Sequence, residues 1–385
     1  MRILHILTDW IICDYVPSLM DKCVGEHYYV RFVSPSDLKV KTKHLHDKRI
    51  RTVVCPSDEY LALANDDSFD YVWQHGLYNG QEYFILRNSS SRKVIWSTWG
   101  FDYVRFGVQW LYGFQTSIRL FKYFPVHVVL KKAFMWALMR MHLIPLIPHS
   151  LIRFLKRVDY YSTVLDSESD MMQRLLQPNA KRIDFTYIKG EQMVKRYPKV
   201  NMGSRHILLG NSSDITNNHF DVFPFLKFFK DYEIWAPLSY DIGGVGMSKY
   251  QQDVLKRGQE EFGERFHPLV TFLPYPEYVK LIQKCSICIF GHHRQKALGN
   301  VDIALKRGAL VFMSHRSPVF RFYKEKGIFI YSLKELKERG LGNVLTEFKK
   351  HRKENMSRYE SLRGHNVLLK EVQESLRFLQ NECLK

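Results

Sequence analysis

Residues 206–221, HILLGNSSDITNNHFD, join a short apolar strand to a polar turn and then to a predicted helix near 218–230. Gly-Asn-Ser-Ser between a strand and a helix presents backbone N–H groups and hydroxyls at a positive helix terminus, which suits a phosphate. The alternative is a plain helix cap at Asn217, with the other polar residues in solvent. The local pattern leaves both open, because it matches neither the P-loop nor the GxGxxG motif.

The same order of strand, turn and helix recurs along the chain. Predicted strands lie at 2–7, 28–34, 50–55, 71–76, 93–100, 160–165, 206–211, 232–239, 268–274, 287–292 and 309–314. Predicted helices of the second half lie at 218–230, 248–262, 276–285 and 301–308. Strands that alternate with helices over short links are typical of doubly wound α/β sheets, and strands apolar on both faces favour parallel ones.

This alternation predicts an α/β protein with two Rossmann-like domains. Charge, Pro and Gly cluster in RYPKVNMGSR at 196–205, so the predicted domains are 1–200 and 201–342. A charged helical tail follows at 343–385. We expect the two domains to face a cleft, because ligands of such sheets bind outside the carboxyl ends of the strands.

Composition narrows the class of protein further. The chain has 385 residues, with 57 Lys and Arg against 39 Asp and Glu, and this net charge of +18 indicates an anionic partner. The CxxC pair Cys285 and Cys288 has no second pair to complete a zinc site, so we interpret both as buried thiols. The scattered cysteines fit a reducing cytosol, and no apolar stretch is long enough to span a bilayer.

A second polar turn lies in FGHHRQKALGNVDIALKRGALVFM, residues 290–313. It places Arg294, Gln295 and Lys296 after a strand, and then Gly299 and Asn300 at the opening of a helix. Cationic side chains beside a helix terminus make an anion site, and the alternative is a solvated basic loop. The preceding pair His292 and His293 has no carboxylate or thiol at metal-ligand spacing, so we expect surface or phosphate contacts there.

These stretches resemble glycosyltransferase family 56, the family of TDP-N-acetylfucosamine:lipid II N-acetylfucosaminyltransferase. The likeness is carried by ILLGNSSDITNNHFDVF, YEIWAPLSY, the block from LPYPEYVK to ALVFM, and IWSTWGFDYV in the first half. The resemblance implies the two-domain GT-B architecture, a nucleotide diphosphate sugar as donor, a lipid-diphosphate acceptor and no metal or other cofactor. The chain departs from the family pattern at His292–Arg294, at Lys296 and after Tyr103.

The resemblance also implies which residues form the donor site. The first turn would contribute Gly210, Asn211, Ser212, Asp214, Asn217 and His219, and the later turn Arg294, Gln295 and Gly299. The local pattern of the two turns adds Ser213, Lys296 and Asn300 to the predicted donor site. Arg294 would neutralise charge on the leaving diphosphate, and helix termini with the guanidinium would replace a divalent cation.

Residues 103–158 contain nine Lys or Arg and no Asp or Glu, among many aromatic and aliphatic residues. Basic and apolar side chains together predict an amphipathic surface that lies on anionic lipid. The alternatives are a core helix pair between the domains and a nucleic-acid surface, although no RRM, KH, OB or HTH pattern is present.

Candidate acceptor-side residues end two strands of the first half. Asp102 is the first candidate for the base that an inverting reaction requires, and His75 is the second. Their structural alternatives are a helix cap or ion pair for Asp102 and a hydrogen-bonded core residue for His75. Trp99 offers a ring for stacking on a sugar, and Gly100 permits close approach of the backbone.

The sequence thus predicts a membrane-associated, metal-independent glycosyltransferase of bacterial surface polysaccharide synthesis, peripheral on the cytoplasmic face of the inner membrane. Its expected partners are a nucleotide-sugar donor, a lipid-linked saccharide and an anionic membrane, with no nucleic acid. A nucleotide-sugar epimerase of the same fold and a basic nucleic-acid-binding protein are the alternatives.

Overall fold

The computed structural model describes residues 1–10, 12–38, 42, 44–78, 80–87, 91–102, 110–141, 148–177, 179–187, 198–239 and 247–384, without the side chains of 139, 140 and 275. The chain divides into two compact units. Unit 1 comprises Met1–Phe106, Leu146–Arg196 and Arg363–Lys385, and unit 2 comprises Gly107–Pro145 and Tyr197–Leu362.

The units differ from the predicted domain ranges at two places. The prediction put 107–145 in the first domain, whereas its contacts lie in unit 2, where backbone groups of Gly113, Gln115 and Thr116 bind side chains of a second-half helix. The end of the predicted tail, from Arg363, belongs to unit 1, because Leu376 and Leu379 are buried in that core.

Among the described residues, unit 1 contains a parallel sheet in the order β3-β2-β1-β4-β5-β6-β7. Its strands are β1 (Arg2–Ile6), β2 (Glu26–Val33), β3 (Ile50–Val54), β4 (Tyr71–His75), β5 (Lys93–Ser97), β6 (Tyr160–Ser162) and β7 (Lys181–Arg182). Its helices are α1 (Val16–Met20), α2 (Asp58–Asn65), α3 (Glu82–Arg87), α6 (His149–Leu155), α7 (Ser169–Leu175) and α15 (His365–Cys383). β4 is buried along its whole length, as the apolar pattern predicts.

Unit 2 contains a second parallel sheet within the described residues, in the order β10-β9-β8-β11-β12-β13. Its strands are β8 (His206–Leu209), β9 (Glu233–Pro237), β10 (Phe266–Leu269), β11 (Ile287–Phe290), β12 (Leu310–Met313) and β13 (Tyr331–Ser332). Its helices are α4 (Phe114–Tyr123), α5 (Val126–Arg140), α8 (His219–Leu226), α9 (Lys249–Phe262), α10 (Tyr275–Lys284), α11 (Leu298–Lys306), α12 (Pro318–Glu325), α13 (Leu333–Arg339) and α14 (Leu341–Arg363).

The strand predicted at 268–274 is shifted. It begins at Phe266, where it pairs with Ile234 of β9, and it ends at Leu269. Val270 and Phe272 are exposed beyond its end, so their apolar character does not reflect a strand. Cys285 and Cys288 are buried free thiols, as expected, and burial raises the pKa of Cys288 to about 12. In the part of the chain that the structure describes, no helix combines the length and apolarity needed to cross a bilayer.

Candidate active site

The two predicted turns lie side by side in unit 2. β8 and β11 are neighbouring strands, with Ile207 opposite Ile287, and the strand order reverses between them. Loops that leave a parallel sheet on either side of such a reversal diverge and open a crevice for ligands. The turn after β8 and the loop after β11 therefore share the position where a doubly wound sheet binds its ligand.

Asn217 joins the two turns through its side chain. Its Oδ1 accepts hydrogen bonds from the backbone N–H of Asn211 (3.0 Å) and from Nε2 of His292 (2.7 Å). Its Nδ2 donates to Oγ of Ser212 (3.0 Å) and to the carbonyl of Asp214 (2.9 Å). The helix-cap alternative for Asn217 is wrong, because its bonds fold the turn and bind the neighbouring loop. Asn218, which precedes α8, makes no side-chain cap either.

Asp214 binds the cations of the second turn. Nζ of Lys296 lies 2.8 Å from Oδ2 of Asp214, and Nη2 of Arg294 lies 3.4 Å from the same oxygen. All three side chains are largely buried. Burial alone would raise the pKa of Asp214, but the charges of Lys296 and Arg294 hold it below the usual range. Two cations against one carboxylate leave a net positive charge, so the solvated-loop alternative is wrong and an anion is the favoured ligand.

Buried histidines surround this charge. His292 and His219 are fully buried and His293 is nearly so. Of the surface or phosphate contacts expected for His292 and His293, the surface position is wrong and phosphate contact stays a prediction. Desolvation, with the charge of Lys296, lowers the pKa of His219 to about 3. Desolvation with the nearby Arg316 lowers that of His293 to about 4. These rings are therefore neutral at physiological pH and act as hydrogen-bonding groups.

We define the unit 2 polar cluster by the following residues: Asn211, Ser212, Asp214, Asn217, His219, His292, His293, Arg294, Gln295 and Lys296. Within the described protein, six of its buried side-chain atoms have no hydrogen-bond partner: Asn211 Oδ1, His219 Nε2, His292 Nδ1, His293 Nδ1, Arg294 Nε and Gln295 Oε1. Buried polar atoms in native proteins are nearly always paired. The concentration of unpaired ones in a positively charged cluster is what a site for a polar anionic ligand requires.

Gly210 fits this site for a steric reason. Its φ of +68° favours glycine, and a Cβ there would lie 2.9 Å from Asn217 Oδ1 and 3.0 Å from His219 Nε2. The remaining residues of the predicted donor site are Ser213 in the first turn, and Gly299 and Asn300 at the end of the second. Ser213 is buried, Gly299 lies in the first turn of α11, and Asn300 donates to the hydroxyl of Tyr278 (2.8 Å).

His75 ends β4 in unit 1 and is part of a buried hydrogen-bonded chain. Trp99 Nε1 donates to the hydroxyl of Tyr187, which lies 2.9 Å from His75 Nδ1. His75 Nε2 lies 2.9 Å from His5 Nδ1, and His5 Nε2 lies 3.0 Å from His27 Nδ1. His27 Nε2 donates to a backbone carbonyl at 3.1 Å, and this acceptor fixes the direction of every bond between neutral rings. We call these five residues the histidine chain.

Burial lowers the pKa of His75 to about 3 and that of His5 far below its usual value. Every ring nitrogen of the chain has a partner, so His75 has the hydrogen-bonded core position named as its structural alternative.

Asp102 is buried beneath the turns after β4 and β5. Its Oδ1 accepts from the backbone N–H of Leu77 (3.0 Å) and its Oδ2 from that of Trp99 (2.8 Å). Its carboxylate thus holds the backbone of Leu77 and of Trp99, one in each turn. Glu168 lies in the same buried region, and desolvation, with the charge of Asp102, raises its pKa to about 8. The sequence reasoning missed Glu168, which no local motif marks.

The profile of the family described as 4-alpha-L-fucosyltransferase, glycosyl transferase group 56, matches residues 158–360. This range is more than half of the 385 residues. The chain belongs to glycosyltransferase group 56. The resemblance inferred from the two turns is thereby confirmed, and so is the prediction that the protein is a glycosyltransferase.

Solved structures resemble this group 56 chain over its whole length. A sucrose-phosphate synthase from Thermosynechococcus elongatus superposes with a TM-score of 0.65 at 10% identity, covering 99% of this chain and 100% of that one. A trehalose-6-phosphate protein from E. coli bound with UDP-2-fluoro glucose gives a TM-score of 0.56 at 8% identity, covering 99% and 98%. An α,α-trehalose-phosphate synthase from Burkholderia xenovorans gives 0.56 at 10% identity and 98% coverage of both chains. These likenesses confirm the GT-B fold.

Proposed function

We propose that the unit 2 polar cluster binds the diphosphate of a nucleotide-sugar donor. The observation that carries this proposal is the pair of cations, Arg294 and Lys296, which share one carboxylate beside six unpaired buried polar atoms. A diphosphate supplies negative charge and acceptor oxygens to Lys296 and to the unpaired Nε of Arg294, and hydroxyl groups of the sugar would donate to the unpaired oxygens of Asn211 and Gln295. The E. coli structural neighbour bound with UDP-2-fluoro glucose makes a nucleotide sugar a natural ligand to test.

The cluster suits the chemistry of glycosyl transfer. As the bond from the sugar to the diphosphate breaks, negative charge grows on the leaving oxygen. Arg294 and Lys296 are held in place by Asp214, so they would stabilise that charge without reorganising and without a divalent cation. The unpaired His219 Nε2, beside Gly210, would donate to the same diphosphate.

We propose that the sugar is an amino-deoxy hexose such as N-acetylfucosamine, and that the acceptor is a lipid-diphosphate-linked saccharide of bacterial surface polysaccharide synthesis, of the enterobacterial common antigen type. The group name, 4-alpha-L-fucosyltransferase, supports a deoxy sugar. On the acceptor side we assign Trp99 to stacking on the sugar and Gly100 to close contact. Asp102 would position the backbone of Trp99, and His75 would orient the Tyr187 hydroxyl that accepts from the Trp99 indole N–H.

A surface of α4 and α5 supports an anionic membrane as partner. Phe114, which is 75% exposed, Ile118 and Phe121 lie on one face of α4. We define the docking face by these residues and the exposed apolar residues that follow: Val126, Leu130, Phe134 and Met141. Lys131 is exposed beside it, Lys122 is exposed but pairs with Asp253 (2.5 Å), and neither helix contains an acidic residue. An exposed apolar face on helices that carry basic and no acidic side chains matches a bilayer with anionic headgroups, so we propose peripheral attachment at the cytoplasmic face of the inner membrane.

A nucleotide panel tests the donor proposal. The melting temperature of the full chain is measured with inorganic pyrophosphate, UDP, dTDP, GDP, CDP and ADP, and then with sugar derivatives of the best nucleotide. We expect a selective rise with one diphosphate, since a ligand that binds only the native state stabilises it. No response to any compound would contradict the proposal.

Vesicle sedimentation tests the membrane proposal. We expect binding to phosphatidylcholine vesicles that contain phosphatidylglycerol and weaker binding to phosphatidylcholine alone. Phe121→Ser should weaken it, and Phe272→Ser, a change of another exposed apolar residue, should not. Salt-dependent binding to single-stranded DNA with none to vesicles would instead favour the nucleic-acid alternative. A dimer in sedimentation velocity that Phe121→Ser dissociates would reassign the face to self-association.

A further inference from the structure

One side chain outside both regions, Asn218, connects the segment before the docking face to the unit 2 polar cluster. This side chain is fully buried between Asn217 and His219, two members of the cluster. Its Oδ1 accepts from the backbone N–H of Gly113 (2.9 Å), which directly precedes α4. Its Nδ2 donates to the carbonyls of Leu111 (3.1 Å) and of Gly291 (2.9 Å), the residue that precedes His292. One amide therefore joins the segment that leads into the docking face to both turns of the cluster.

The backbone of Asn218 is unusual as well. Its φ of 55° and ψ of 41° lie in the left-handed region, which residues other than glycine seldom adopt and Asn tolerates best. This conformation turns the chain from the short 3₁₀ helix Ile215–Asn217 into α8. A conformational change in the turn at 210–218 would therefore move the side-chain amide of Asn218, which binds the backbone N–H of Gly113.

Asp221 makes a second connection from α8 to α4. Its carboxylate accepts from the backbone N–H of Gln115 (2.8 Å) and of Thr116 (3.0 Å), and from Oγ1 of Thr116 (2.6 Å). These are the free N–H groups at the N-terminus of α4, where a carboxylate is most stabilising. A Cβ on Gly113 would lie 2.2 Å from Cγ of Asp221, so the two segments are in close contact.

The inner side of the docking helices packs on the same turn. Leu111, Tyr112, Leu120 and Val129 form a small buried cluster, and Ile215 of the anion-binding turn packs against it. Ile215 lies next to Asp214, which binds Arg294 and Lys296. Apolar packing and hydrogen bonds thus connect the two regions over a few residues.

Resting on the function proposed above, we propose that nucleotide binding at the cluster and membrane binding at the docking face are coupled through Asn218. A diphosphate that pairs with the cluster orders the turns at 210–218 and 291–296, and these turns fix Leu111 and Gly113. The docking helices are then held in one orientation before they contact the bilayer. Membrane binding therefore loses less conformational entropy when the nucleotide is already bound. The membrane-bound enzyme would then have a higher affinity for its donor than the free enzyme, and the membrane is where the lipid-linked acceptor lies.

Two reciprocal titrations on the full chain measure the coupling at fixed ionic strength. The affinity for phosphatidylglycerol-containing vesicles is measured with and without dTDP or UDP, and the affinity for each nucleotide is measured with and without vesicles. We expect the better nucleotide to strengthen vesicle binding about five-fold or more, and vesicles to strengthen nucleotide binding by the same factor, as linkage requires.

Asn218→Gly tests the role of the amide. Glycine keeps the left-handed backbone and removes the side-chain bonds to Gly113, Leu111 and Gly291, together with a longer one to the Thr216 carbonyl (3.4 Å). We expect the coupling factor to fall towards one, with each separate affinity within about two-fold of wild type. The matched control is Asn201→Gly in the same unit, where the exposed side chain caps only a local turn to Gly203 and the coupling should stay unchanged.

The titrations distinguish failure of the coupling from failure of the proposed function. Wild-type protein that binds both partners with unchanged affinities would overturn the coupling and leave the proposed function standing. Nucleotide that weakens vesicle binding would also overturn it, since both anions would then compete for the same cations. Failure to bind either partner would overturn the proposed function and the coupling together. Because the wild-type titrations carry the main test, the outcome does not depend on the stability of the Asn218 variant.

Discussion

The two sheets reverse their strand order in the same way, between β1 and β4 in unit 1 and between β8 and β11 in unit 2. At the first reversal, every ring nitrogen of the histidine chain is paired, and each with a neutral group. At the second, the unit 2 polar cluster holds two cations, one carboxylate and six unpaired atoms. The same topology therefore carries a closed network of paired groups in one unit and an open cluster with unpaired polar atoms in the other.

The largest expected effect comes from the open cluster. Arg294→Ala should weaken nucleotide binding or turnover by about 100-fold or more, because one preorganised group that stabilises the leaving charge is lost. Stability should change little once Lys296 alone pairs with Asp214. Calorimetric titration with the best nucleotide of the panel measures the effect. The control is Arg205→Ala, whose exposed guanidinium pairs with Asp231. Near-normal binding by Arg294→Ala would remove Arg294 from the site.

The closed network should show the opposite pattern. His5→Phe keeps a ring but deprives His27 and His75 of their partners, so the free energy of unfolding should fall by about 2 kcal/mol. Nucleotide affinity should stay unchanged. Urea denaturation and calorimetry measure the two quantities, and His46→Phe at an exposed position is the control. A loss of nucleotide affinity with intact stability would instead give the histidine chain a functional role.

Acid should lower the free energy of unfolding at pH values well above the native pKa of His75. The pKa of His75 is about 3 in the native state and the unperturbed value is about 6.5, so between these pH values the unfolded state binds a proton and the native state does not. Stability is therefore fully present above pH 6.5 and falls below it, by up to about 1.4 kcal/mol per pH unit for this group. Urea denaturation at pH 7, 6 and 5 measures the slope. His75→Gln should show a shallower slope, and equal slopes would contradict the assignment.

The smallest expected effect comes from two glycine substitutions, which compare the cost of backbone strain alone with the cost of strain inside the site. Gly210→Ala and Gly263→Ala both place a side chain at positive φ, and each should lose about 1 kcal/mol of stability. Only the Cβ at Gly210 meets the cluster, whereas nothing lies within 4 Å of the one at Gly263. We therefore expect Gly210→Ala alone to weaken nucleotide binding, by about five-fold. Equal affinities for both variants would mean that Gly210 serves only the turn.

The sequence predicted the donor-side turns better than the acceptor-side residues. Asp214, Asn217, Arg294 and Lys296 follow neighbouring strands, and strand order with local polarity was enough to bring them together. Asp102 and His75 also follow strands, but burial decides their surroundings. Tyr187, which closes the histidine chain, comes from a segment without a motif, so its contact with His75 could not be read from the sequence. Asn218 is the second residue of an Asn-Asn pair, and nothing in the sequence distinguishes it from Asn217. Its left-handed backbone conformation is visible only in the structure.

The sequence by itself determined the two parallel sheets, the polar turns after β8 and β11, and the basic apolar stretch, because periodicity and composition are local properties. Tertiary structure alone decided that α4 and α5 of this stretch belong to unit 2 and α6 to unit 1, that Asp214 pairs with both cations, and that one polar edge is closed and the other open. These outcomes depend on which groups distant segments bring together and on which atoms burial removes from water, and a linear pattern specifies neither.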